Sequence, residues 1–175
     1  YFLTHPIRLG GHGHVVQIDD SVFSHKVKYH RGRGSASPIW VFGMVDTQYS
    51  PAIGYMEIVP SRDAATLLPI IARIVRPGSI IHSDQWRAYV NIQRDLGFIH
   101  RTVNHSRHFV DPQTGVHTQA IESYWNRQKQ RFKKMGGCQR KNLGSYLTQF
   151  MWLERNRAAT FENFCKIISE KYNFI

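Results

Sequence analysis

The stretch HVVQIDDS at residues 14–21 decides the fold. Its alternation reads as a strand over 14–20 that puts Val15, Gln17 and Asp19 on one face and turns Asp20 to the other. Working outward, residues 39–45 (IWVFGMV) and 53–59 (IGYMEIV) read as two further strands joined by a turn around Tyr49-Ser50-Pro51. The pattern then switches to helical spacing over 62–76, carried by Leu67, Leu68, Ile71, Ile74 and Val75. Ser61 is the expected N-cap, Pro69 the expected site of a kink, and Pro77-Gly78 the end. Residues 79–82 form a short strand with Asp84 just past its end. A helix over 85–96 stops at Gly97, and 98–103 makes a fifth strand.

After an irregular, histidine-rich stretch at 104–116, a strongly amphipathic helix spans 118–134 and closes at Gly136-Gly137. A second helix over 139–156 carries an apolar stripe at Leu143, Tyr146, Leu147, Phe150 and Met151, and Thr160 caps a last helix through Tyr172. Glycines 10, 11 and 13 suggest that residues 1–13 are a linker from an upstream region. The catalytic domain is then expected over 14–156, with a helical tail over 157–175. The order βββ-α-β-α-β-α gives an α/β class: a mixed five-stranded sheet flanked by helices, with helices appended at the C-terminal end. That is the element order of the ribonuclease-H-like fold.

The 175 residues suffice for one domain with a real core, and 42% apolar with 13% aromatic content is globular. No apolar run is long enough for a membrane span and the N-terminus is not a signal peptide, so the plain expectation is a soluble intracellular protein. The net charge of +11 favours a polyanionic partner, nucleic acid being the commonest. Cys138 and Cys165 make no CxxC pair and read as reduced thiols.

Acids total only 12, so their placement is informative. Asp19 lies in the first strand, Asp84 at the end of the fourth, and Glu122 in the first turns of the long helix. Each alone reads most simply as a solvated residue. Two adjacent central strands and a helix across the same sheet edge can, however, bring three carboxylates together, and clustered like charges are costly unless a cation neutralises them. Carboxylate oxygens suit Mg²⁺ or Mn²⁺, and two such ions support phosphoryl transfer.

On the long helix, Asn126 and Lys129 share the Glu122 side, while Ile121, Tyr124, Trp125 and Phe132 face the core. Arg127, Lys129, Arg131, Lys133, Lys134, Arg140 and Lys141 follow with no acid between Glu122 and Glu154. One-sign charge repels itself, so this face is suited to phosphate backbone. The loop carrying Lys26, Lys28, Arg31 and Arg33 is a candidate second arm. His105, His108 and His117 are either hydrogen-bonding and DNA-contacting residues near the site or part of a zinc site. The absence of a cysteine pair at ligand spacing favours the former.

Further segments carry a resemblance: Leu9-Gly10-Gly11, VVQIDDS at 15–21, KYHRGR at 28–33, WVFG at 40–43 and TLLPII at 66–71. IHSDQWRAY at 81–89, VNHSRHFVDPQTGVHTQAIE at 103–122 and the segment from Trp125 to Lys129 continue it. In order and spacing the chain resembles the Merlin group of eukaryotic DDE transposases and its bacterial insertion-sequence relatives over about residues 7–160. The resemblance implies a triad of Asp19, Asp84 and Glu122 binding two Mg²⁺ or Mn²⁺ ions. It places Lys129 at the lysine that follows the glutamate by seven residues. Asn126, His105 and His117 are expected to support the site. The implied partners are transposon terminal inverted repeats and target DNA, met by a homodimer or higher oligomer, with no membrane. The implied location is the nucleus in a eukaryote and the cytoplasm in a bacterium. The group's first motif reads Glu-x-Asp-Glu where this chain has Gln17-Ile18-Asp19-Asp20. Two other readings stand beside the active transposase: a domesticated, catalytically silent DNA-binding protein, and a ribonuclease-H-type nuclease or resolvase without transposition.

Overall fold

The computed structural model describes residues 1–23, 37–104 and 110–172. Strands β1 (Val15–Val22), β2 (Trp40–Asp46), β3 (Ile53–Val59), β4 (Ile80–Ser83) and β5 (Ile99–Thr102) form one sheet in the order β3-β2-β1-β4-β5. The first three are antiparallel neighbours, and β4 and β5 add in parallel on the far side of β1. The helices are α1 (Ala64–Ile74), α2 (Ile92–Leu96), α3 (Gln119–Lys134), α4 (Leu143–Arg155) and α5 (Thr160–Tyr172). This is the expected mixed, ribonuclease-H-like sheet.

Alternate residues of β3 show that both faces are covered. Tyr55 and Glu57 take Arg73 of α1, whereas a Cβ at Gly54 would meet the Tyr124 ring of α3 at 2.6 Å, and the Met56 N–H donates to the Met151 sulfur of α4. α4 thereby covers an edge strand that would otherwise offer unpaired backbone groups. α4 is tied to α3 by the buried Glu154, which accepts from the Tyr124 hydroxyl at 3.1 Å and the Gln128 amide at 2.5 Å.

Three local expectations are corrected. The cap of α1 is Asp63, whose Oδ1 accepts the Thr66 N–H at 2.8 Å; Ser61 donates to the other Asp63 oxygen instead. α1 continues through Pro69 without a break, as expected. The helix expected over 85–96 is confined to α2, preceded by a 3-10 turn over Arg87–Tyr89. The physical reason lies at Asp84: its side chain accepts the Trp86 N–H at 3.0 Å, and this local bond competes with helix formation while Trp86 stays extended. The stretch 1–13 is more than a linker, because Ile7 and Leu9 are buried in the core. Leu9 bridges to Val75 beside β1, and Gly10 N–H donates to the buried Asp46 at 2.8 Å.

Candidate active site

Asp19 sits on the face of β1 that α3 covers, directly opposite Gly43 of β2. The glycine is required there: a Cβ would lie 2.4 Å from the Trp125 ring. The indole therefore rests on the β2 backbone, and its Nε1 donates to Asp19 Oδ2 at 3.1 Å. Two positions earlier, Gln17 holds the start of the same helix. Its Oε1 accepts the N–H groups of Ala120 and Ile121 at 2.9 and 3.1 Å, and its Nε2 donates to the His117 carbonyl at 2.9 Å. These are the orphan donors of a helix N-terminus, satisfied by a strand residue rather than by the helix's own cap, since Thr118 makes no side-chain cap bond.

Asp84 follows β4, the parallel neighbour of β1, and its carboxylate is close enough to Asp19 and Asp20 to repel both. Burial, with added repulsion from Asp20 and Asp84, pushes Asp19 up to about 7, against the lowering effect of the Asp20 N–H and the Trp125 indole. Asp20 points to the opposite face, as expected. There it pairs with Arg62, Oδ2 to Nε 2.7 Å, yet burial still raises it above the usual carboxylate range.

Glu122 is exposed on α3. Tyr124 covers β3 and Trp125 covers β2. Glu122, Lys129 and Asn126 lie about 60°, 40° and 100° round the axis from Trp125, on the side away from Tyr124, which looks towards β1 and β4. Lys129 agrees with this, with Nζ 5.6 Å from the ring of Phe23 just past β1. The structure thus brings Asp19 and Asp84 together and puts Glu122 on the facing side of the helix. Among the described residues no three of Asp, Glu, His and Cys stand close enough to hold one ion.

The donor set fits a hard cation nonetheless. Half-buried carboxylates that repel one another, with Asp19 driven towards its neutral form, are what a divalent ion relieves.

The basic tract divides. Arg127 donates to the Ala52 carbonyl and lies over the Tyr124 ring, and Arg131 lies over the Phe150 ring, so both are used inside the protein. Arg140 donates to the carbonyl and hydroxyl of Ser37. Lys133, Lys134 and Lys141 stay exposed. Lys26, Lys28, Arg31, Arg33, His105 and His108 lie outside the described residues. His117 is half-buried with Nδ1 3.4 Å from Gln17 Nε2, and Asn126 accepts from Gln130 at 3.3 Å.

Residues 9–155 match the ISXO2-like transposase domain. The chain belongs to that family. A transposase-like protein of Haemophilus influenzae is 33% identical over 102 residues, which is 58% of this chain and 80% of the relative. Among solved structures, the catalytic core domain of BIV integrase superposes with a TM-score of 0.51 at 18% identity, covering 81% of this chain and 82% of that one. At that identity the likeness establishes the fold, which agrees with the sheet order described above.

Sequence reasoning misses two residues of this ISXO2-like domain. It assigns Trp125 to the core alone, and treats Gln17 only as a departure from a motif. Gly43 is the available signal for the first: a glycine mid-strand marks a close approach. Gln17 has a weaker one, a buried-face amide in a strand, which must find partners.

Proposed function

We propose that this chain is the catalytic domain of a cut-and-paste DNA transposase of the Merlin type, working through Asp19, Asp84 and Glu122 with Mg²⁺ or Mn²⁺. The observation that carries the reading is the convergence of Asp19 and Asp84 at the β1–β4 edge, within a chain that matches a transposase domain over residues 9–155. Asp19, Asp84 and Glu122 would hold two ions. When bound, these supply charge stabilisation at the attacked phosphodiester and at its leaving oxygen.

The chain's own residues do the rest. Trp125 fixes one oxygen of Asp19 and excludes water from that side, leaving the carboxylate in a single orientation. Gln17 sets the start of α3 and with it the placement of Glu122. Lys129, on the Glu122 side, meets the phosphate backbone, and exposed Lys133, Lys134 and Lys141 extend that contact. Hydrolysis of one phosphodiester frees a 3′-hydroxyl at the transposon end. That hydroxyl then attacks a target phosphodiester, one bond forming for each broken. Both ends must be cut, so the working form is a dimer or higher oligomer on DNA.

The test is strand cleavage of a terminal-repeat duplex by the natural full-length protein in Mg²⁺ and in Mn²⁺. Wild type should cut, and Asp19→Asn, Asp84→Asn and Glu122→Gln should each lose several hundredfold or more, since metal stabilisation is worth several kcal/mol at about 1.4 kcal/mol per tenfold. A wild type that binds the duplex and never cuts it would favour the silent DNA-binding protein.

A further inference from the structure

On the face of the sheet opposite α3, Arg62 stands between two indoles. Its guanidinium carbon lies 4.1 Å from the Trp40 ring centre and 4.3 Å from that of Trp86. Its Nε is 2.7 Å from Asp20 Oδ2, in an ion pair whose acid side chain is only 5% exposed. The Arg62 carbonyl accepts the Trp86 indole N–H at 3.0 Å, and the Trp86 backbone N–H is the one that binds Asp84 Oδ1, also at 3.0 Å. A continuous path of contacts therefore runs from Asp20, the neighbour of Asp19, through Arg62 and Trp86 to Asp84. The other ion pairs among the described residues, Arg73–Glu57 and Arg94–Asp95, lie on the surface away from this path.

We propose that Arg62 is a positioning residue for the metal site: by clamping Trp86 and pairing with Asp20 it holds Asp84 where its carboxylate and that of Asp19 can share divalent ions. The inference rests on the metal-site reading above. The role assigned to Arg62 runs through its contacts with Trp86 and Asp20. The planar guanidinium suits this role, because it lies over both indole rings while its Nε meets the carboxylate. An ammonium has no faces, so lysine keeps the charge and loses the clamp. Asp19, Asp20 and Asp84 repel one another, and without the clamp the loop carrying Asp84 is the part free to move away, since Asp19 and Asp20 are fixed in a central strand.

Outer partners of metal ligands characteristically change affinity by about 10–100-fold when removed. Mn²⁺ binding to the full chain without DNA, followed by calorimetry, should weaken on the order of tenfold in Arg62→Lys. Duplex affinity should be unchanged. In cleavage, the half-saturating Mn²⁺ concentration should rise by a similar factor, with the rate recovered at high Mn²⁺. Trp86→Phe keeps the ring and loses the indole N–H, and should shift Mn²⁺ binding in the same direction; it carries the test if Arg62→Lys does not fold. Mn²⁺ isotherms of both variants that superpose on wild type would overturn the proposal, as would a lower cleavage plateau with unchanged Mn²⁺ dependence, which is the mark of a merely structural residue. A wild type that binds no Mn²⁺ by calorimetry would overturn the metal-site reading together with this one.

Discussion

Trp125 donates its indole N–H to Asp19 across 3.1 Å, and it can do so because Gly43, opposite Asp19 in the sheet, leaves room for the ring. Helix α3 and strand β1 are thus joined at the residue expected to do the chemistry. Trp125→Phe keeps most of the ring and removes the bond, leaving a half-buried carboxylate oxygen without its donor. Urea denaturation should show a loss of about 1–3 kcal/mol. Gly43→Ala should cost at least as much, because its Cβ and the indole cannot both occupy the site. Wild-type denaturation midpoints in both variants would mean that this contact contributes nothing.

Gln17 makes a second, ordered prediction. Gln17→Glu still accepts the Ala120 and Ile121 N–H groups but cannot donate to the His117 carbonyl, whereas Gln17→Ala abandons all three bonds. Stability should fall in the order wild type, Gln17→Glu, Gln17→Ala, with the alanine variant losing about 1–3 kcal/mol for its unsatisfied buried donors. Equal midpoints for the two variants would show that the acceptor bonds to α3 do not matter.

The division of the basic tract is testable by salt. Replacing Lys133, Lys134 and Lys141 with glutamine should reduce the slope of log affinity against log salt on duplex DNA by about 0.9 for each phosphate no longer neutralised. Arg127→Gln should instead lower stability and leave the slope alone, because its guanidinium already serves Ala52 and Tyr124. The reverse pattern would reassign the DNA-facing side of α3.

Burial holds His100 below its ordinary value of 6.5. Between the folded and unfolded values the unfolded chain binds more protons, so this residue's contribution is complete above about 6.5 and is lost as pH falls from there through the lower folded value. The raised Asp19 and Asp20 work in the opposite sense, which makes a difference measurement necessary. Going from about pH 8 to about pH 5, urea midpoints of His100→Gln should fall less than those of wild type. Parallel profiles would remove His100 from the balance.

Much of the architecture was legible because period is a local property. Alternation at 14–20 and the 3.6-residue stripe at 143–151 each identify an element without reference to the rest of the chain. What was not legible depends on pairs far apart in sequence. Leu9 looked like linker because its partner Val75 is brought alongside only by the folded β1–α1 layer. The helix looked as if it began at Gln85, yet the Asp84 side chain captures the Trp86 N–H and delays the helix to Ile92. The three candidate acids could be named from spacing, but the clamp on Asp84 joins four separate segments of chain, and no spacing rule encodes it.

The central claim is that Asp19, Asp84 and Glu122 form one metal site. A crystal structure of the full chain with terminal-repeat DNA and Mn²⁺, read by anomalous scattering, tests it most directly. The account predicts two ions about 4 Å apart, which Asp19, Asp84 and Glu122 would hold between them. Mn²⁺ bound elsewhere, or at Asp19 and Asp84 with the Glu122 side of α3 turned away from the ions in the DNA-bound state, would contradict it.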